Sequence, residues 1–110
     1  MPDPPSFLTA AAGEEWRRLA PELCRLGLLS ALDTMPLAAY CQAFATWLVA
    51  TEAGAADGRA PDERRLLARV ARDSGRDMIR YAKLFGMTPA SRSQVAAGAL
   101  RDTKFDGLIG

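Results

Sequence analysis

The chain has 110 residues, about one domain's worth, and 49% of them are hydrophobic. Alanine supplies much of that share and buries little area per residue, so a monomer is only marginally stabilised and self-association is expected. There is no histidine and there are two cysteines, Cys24 and Cys41, which excludes a histidine-assisted nucleophile and the usual zinc ligand sets.

The net charge of +1 is unevenly spread. Residues 1–58 hold three arginines against seven acids, residues 59–83 hold eight basic residues against four acids, and residues 84–110 hold three against two. Positive charge is therefore concentrated in the centre, and attraction to nucleic acid should be modest and local. No apolar run reaches the length of a membrane span, and MPDPPSF lacks the charged-then-apolar pattern of a signal peptide. Two isolated thiols read as free in a reducing cytoplasm, the expected location.

Residues 1–8 are proline-rich and expected to be extended or flexible. Thr9 reads as an N-cap for a helix over about 9–26, with Ala12, Trp16, Leu19, Leu23 and Leu26 on one face. Pro21 falls inside it and predicts a kink or break near Arg17–Pro21, and Gly27 ends it. Asp33 reads as the cap of a second helix over about 33–53, with Pro36 in its first turn. Leu37, Tyr40, Cys41, Phe44, Trp47, Leu48 and Thr51 form its broad apolar face, and alanines cover much of the rest.

A third helix is expected over about 61–85. Pro61 suits its first turn, Asp62 and Glu63 suit the positive end of its dipole, and Gly86 supplies the stop. At about 100° per residue, Arg65, Arg69, Arg72, Arg76, Arg80 and Lys83 share one stripe, and Leu67, Ala71, Ser74, Met78, Tyr81 and Phe85 share the opposite one. Gly75, costly in mid-helix, predicts a close helix crossing there. The short Gly54–Ala60 connection predicts an antiparallel hairpin of helices two and three. Thr88 and Pro89 open a short helix to about residue 97, and residues 98–110 form a flexible tail with Phe105, Leu108 and Ile109. Residues 9–97 thus read as one all-α domain.

The pairs Glu14–Glu15 and Asp62–Glu63 read as first-turn acids suited to the helix dipole, not as catalytic pairs. No GxxxxGK[ST] loop is present. The chain is read as non-enzymatic, with no cofactor and no metal. The arginine stripe suits phosphate contact, because a guanidinium matches phosphate oxygens bidentately, or it is a solvated face partly neutralised by Asp73 and Asp77. The first two helices resemble a helix-turn-helix, but no Arg or Lys lies between Asp33 and Gly58, so base readout by the second is poor. The apolar tail residues suit docking to a partner, to a neighbouring subunit or back onto the domain.

Taken together, the run Glu15-Trp16-Arg17-Arg18-Leu19-Ala20-Pro21-Glu22-Leu23, then Leu26-Gly27-Leu28-Leu29 and Leu32-Asp33, resembles small subunits of tailed-phage terminases. Tyr40-Cys41, Trp47 and Leu84-Phe85-Gly86-Met87-Thr88-Pro89-Ala90-Ser91-Arg92 extend the resemblance. It implies a bacterial host cell and a partner of the packaging motor that assembles into a ring of roughly eight to ten chains. Such a ring engages double-stranded DNA and modulates the ATPase and nuclease of the large terminase subunit. Ring or core packing would fall to Trp16, Leu19, Leu23, Tyr40, Phe44, Trp47, Met78, Tyr81 and Phe85. The Gly54–Pro61 connection is shorter than the family's, which implies weak, poorly sequence-specific binding, as in a gene transfer agent. The competing reading is a helical protein-interaction adaptor with no nucleic-acid role.

Overall fold

The computed structural model describes residues 2–87. Among them lie three α-helices, α1 (Ala10–Arg25), α2 (Thr34–Gly54) and α3 (Pro61–Leu84), one 3-10 turn (Ala31–Asp33), and no strand. The expected helix over 89–97, its Thr88 cap and the tail with Phe105, Leu108 and Ile109 lie outside the described residues.

Thr9 caps α1, its hydroxyl accepting from the Ala12 N–H at 3.4 Å. The α1 helix runs unbroken through Pro21. Both Pro21 and Arg17 are exposed, so the Arg17 carbonyl that loses its donor can bond water instead. The helix stops where Gly27 takes φ 71°. The Gly27 N–H then bonds the Cys24 carbonyl and the Leu28 N–H the Leu23 carbonyl, at 3.0 and 2.8 Å. Leu26 is consequently not part of the apolar face. It is the C-cap residue and 53% exposed, while Leu28, carried back by the turn, packs on the core.

Asp33 does not cap α2 with its side chain. Its carboxylate instead accepts from the Ser30 N–H and hydroxyl at 2.8 and 2.9 Å, closing the 3-10 turn that precedes the helix. A carboxylate committed backwards cannot also serve the N–H groups ahead of it. Farther along, Thr51 is exposed, whereas Ala38, Ala45 and Ala50 are buried. The alanines of α2 are therefore packing surface, because α2 is the middle helix. It packs against both α1 and α3, and those two share no helix–helix packing of their own.

Two glycines set the approach of α3 to α2. Gly54 faces the Leu67 side chain, and Gly75 lies under the Trp47 indole, where an added Cβ would come within 3.1 Å of Cδ1. Those pairings run in opposite directions along the two helices. Trp47 stands at a tilt to Phe44, which stacks on Tyr40, with ring centroids 6.2 and 6.4 Å apart. Ser74, facing α2, satisfies its hydroxyl on the Val70 carbonyl at 2.6 Å.

The core joins Trp16, Leu19 and Leu23 of α1 to Leu37, Tyr40 and Cys41 of α2, and closes at Phe85 just beyond α3. Phe44, Met78 and Tyr81 pack around it half-buried. The N-terminal segment is tied in at one point, because Trp16 Nε1 donates to the Pro2 carbonyl at 3.1 Å.

One polar group sits deep in this core. Glu15, 3% exposed, is not in the first turn of α1 and has no dipole role. Its carboxylate accepts from Arg18 at 2.5 and 2.8 Å and from the Tyr40 hydroxyl at 2.8 Å. Burial, and then the hydrogen bond to Glu15, push the Tyr40 phenol above its usual value. The same burial pushes the Cys41 thiol up to about 12.

Two predictions follow from this packing. Gly75→Leu should lower stability by about 2 kcal/mol or more in urea unfolding, since the leucine must displace Trp47. Gly54→Ala, meeting Leu67 only at an ordinary 3.9 Å, should leave stability unchanged or raise it by about 0.5 kcal/mol.

In native protein at pH 8, a thiol reagent should modify half-exposed Cys24 and spare buried Cys41, with both reacting in denaturant. The stability that comes from burying the neutral Cys41 thiol is fully present below its unfolded value near 9. It should fade as pH rises through that point towards 12.

Candidate nucleic-acid interface

With its Leu67–Ala71–Ser74–Met78 stripe turned to α2, α3 has no choice but to present its arginines to solvent. Arg65, Arg69, Arg72, Arg76, Arg80 and Lys83 are all exposed, in one row along the outer edge of the molecule. At about 1.5 Å of rise per residue the row is roughly 27 Å long, comparable with one turn of B-DNA. Arg59 and Arg64 add positive charge at the hairpin end, both also exposed.

Carboxylates temper only part of the row. Arg65 pairs with Asp62 at 3.3 Å, Arg76 with Asp73 at 3.7 Å, and Arg80 with Asp77 at 3.9 Å. Asp73 thus serves Arg76 and leaves Arg69 alone. All three pairs are exposed and worth little in water. Arg69, Arg72 and Lys83 have no carboxylate partner among the described residues. The guanidinium groups are therefore free or cheaply freed.

The other singled-out residues fall elsewhere. Trp16, Leu19, Leu23, Tyr40 and Phe85 are buried, and Phe44, Trp47, Met78 and Tyr81 are half-buried. None of these belongs to the arginine row. Sequence reasoning missed Glu15, the one buried carboxylate among the described residues. Its signals were Arg18 three residues on and a tyrosine in the next helix. It is fully hydrogen-bonded within the fold, so its capacity is spent on holding α1 to α2.

No group of three or more Cys, Asp or Glu side chains that could hold a metal ion occurs among the described residues. No helix described is long and apolar enough to cross a membrane. The class the fold and surface define is a small, all-helical protein with a single-sided basic helix on its edge.

The chain belongs to the phage terminase small-subunit family, whose description is phage terminase, small subunit, and whose sequence profile matches residues 12–101. The match begins near the start of α1 and takes in α2 and α3 entirely. No curated protein and no solved structure matches the chain. Small terminase subunits have a role in DNA packaging and are non-catalytic, the ATPase and nuclease residing in the large subunit they work with.

Because Arg69, Arg72 and Arg76 are exposed, and of the three only Arg76 has an ion-pair partner, a surface one, their replacement should be structurally silent. Arg69, Arg72 and Arg76 changed together to Gln should leave the thermal midpoint and helical content within the range of about 0.5 kcal/mol expected for surface changes. Thermal unfolding followed by circular dichroism checks this.

Proposed function

We propose that the chain is the small subunit of a phage or gene-transfer-agent packaging motor, holding duplex DNA weakly by its backbone and regulating the large ATPase/nuclease subunit. The observation that carries this reading is the alignment of Arg65, Arg69, Arg72, Arg76, Arg80 and Lys83 on one exposed helix face. Three of the six lack an internal carboxylate partner among the described residues. A straight row of guanidinium groups recognises phosphates and carries no base code. No basic residue lies on α2 to read base edges, which fits binding without a strict sequence requirement.

Weak single contacts suit an assembly, where several chains on one duplex add through effective concentration. We place the chain in a homo-oligomer, a ring of roughly eight to ten copies being the form that closes such contacts. Phe105, Leu108 and Ile109 supply an apolar motif on the C-terminal side of the domain for docking the large subunit.

The deciding experiment is a salt titration of duplex binding with the Arg69→Gln, Arg72→Gln, Arg76→Gln chain beside wild type. The slope of log affinity against log salt should fall by about 0.9 for every phosphate contact removed, with no change in preference between duplex sequences. An unchanged affinity and slope would mean that the row is a solvated face, and would leave the adaptor reading in its place.

A further inference from the structure

With α2 between α1 and α3, the molecule has two broad faces beside its arginine edge. They differ in relief. On one, Phe44, Trp47 and Leu48 of α2 stand half-buried beside Ile79 of α3, which is 51% exposed. The opposite face is a trough, formed by two confluent pockets of about 480 and 500 Å³ that share Gln42, Thr46 and Val70. Its floor is small because Ala39, Ala43, Ala45 and Ala50 line it.

Helical geometry fixes the two as opposite. On α3, at about 100° per residue, Gly75 and Ile79 fall to one side of the line that faces α2, whereas Val70, Asp73 and Asp77 fall to the other. The contacts agree with this division, since Trp47 lies on Gly75 while Val70, Asp73 and Asp77 line the trough.

Charge divides the same way. Arg64 and Arg72 lean towards the bulky face, and neither has a carboxylate partner among the described residues. Asp73 and Asp77 stand on the trough rim, and their ion pairs of 3.7 and 3.9 Å are too long for hydrogen bonds. The two flanks of α3 thus differ in sign and the two sides of α2 differ in relief, while Glu14 and Arg18 of α1 border a smaller hollow beside Phe44 and Leu48 on the bulky face.

We infer that the trough receives the bulky face of a second copy of this chain, seating Phe44, Leu48 and Ile79 over the alanine floor, with Arg72 against Asp73 and Asp77. Such a contact is heterologous. It cannot be satisfied by a symmetric dimer, because back-to-back pairing of the bulky faces sets arginine against arginine and leaves both troughs open. Repetition generates a closed ring, or a filament where the rotation does not close. The inference rests on the self-assembly proposed above and is independent of the DNA contact.

The test uses the full chain and two single variants at exposed positions. Thr46→Arg fills the trough and keeps the bulky face, whereas Ile79→Arg spoils the bulky face and keeps the trough. Circular dichroism and urea unfolding establish that both fold. By analytical ultracentrifugation, wild type should exceed a dimer, and each variant alone should self-associate at least tenfold more weakly. An equimolar mixture should give a 1:1 dimer and nothing larger, because only one productive contact remains.

A mixture that stays monomeric, or a variant that keeps the wild-type mass, would overturn the pairing of faces and leave the oligomer standing. A wild-type chain that is monomeric throughout would overturn both.

Discussion

The fold depends on a helix that is short of polar surface. α2 carries bulky residues over a broad arc and alanines over much of the remainder, so leaving both of its flanks to water is unfavourable. Its two neighbours divide the task. Tyr40 and Gln42 of α2 reach α1 through Glu15 and Thr9, while Trp47 and Gly54 meet α3. Once α3 is committed to covering α2, its own polar side must point outward along its whole length. The arginine row is exposed for that reason, and the site is a consequence of the core.

The closeness of that covering is set at Gly75. Without a side chain there, the Trp47 indole lies against the α3 backbone. A helix interior glycine is unfavourable by roughly 1 kcal/mol relative to alanine, and the aromatic contact offsets it. Glu15 works by the same logic. A buried carboxylate would be prohibitive alone, yet three hydrogen bonds from Arg18 and Tyr40 satisfy it and fix the register of α1 on α2. The non-catalytic assignment of the family is consistent with a carboxylate so fully employed.

What the sequence made legible was local. The Thr9 cap, the stops at Gly27 and Gly86 and the two stripes of α3 each depend on residues within a turn or so of one another, and all three kinds of signal reappear in the structure. Gly75 was legible as an anomaly, since an unfavourable residue needs a reason. What stayed hidden was decided at longer range. Asp33 looks like a cap until the 3-10 turn gives Ser30 first claim on its carboxylate. Leu26 keeps the helical period but lies at the position where the chain leaves the helix. Glu15 sits among acids that suit a helix start, and its partner is 25 residues away. The twofold coverage of α2 was obscured for a related reason, because a periodicity argument seeks one apolar stripe and alanine counts weakly in it.

The candidate site followed the same division. Which cations share an edge was a matter of period and could be read directly, but which of them are neutralised was not. Asp73 lies four residues after Arg69 and three before Arg76, and both spacings permit a pair on a helix. The structure selects Arg76, which leaves Arg69 and Arg72 as adjacent free cations in the middle of the row. That choice bears on both proposed uses of α3. Arg69 points along the outer edge, where a duplex would lie, and Arg72 leans towards the bulky face, where a neighbouring chain would bring its acids. The two proposals stand separately, but together they would put a DNA row and an assembly contact on adjacent flanks of one helix. Ordering a neighbour against Arg72 would hold α3 in a fixed line beside the next copy's α3, so the rows would meet a duplex already aligned and lose less freedom on binding.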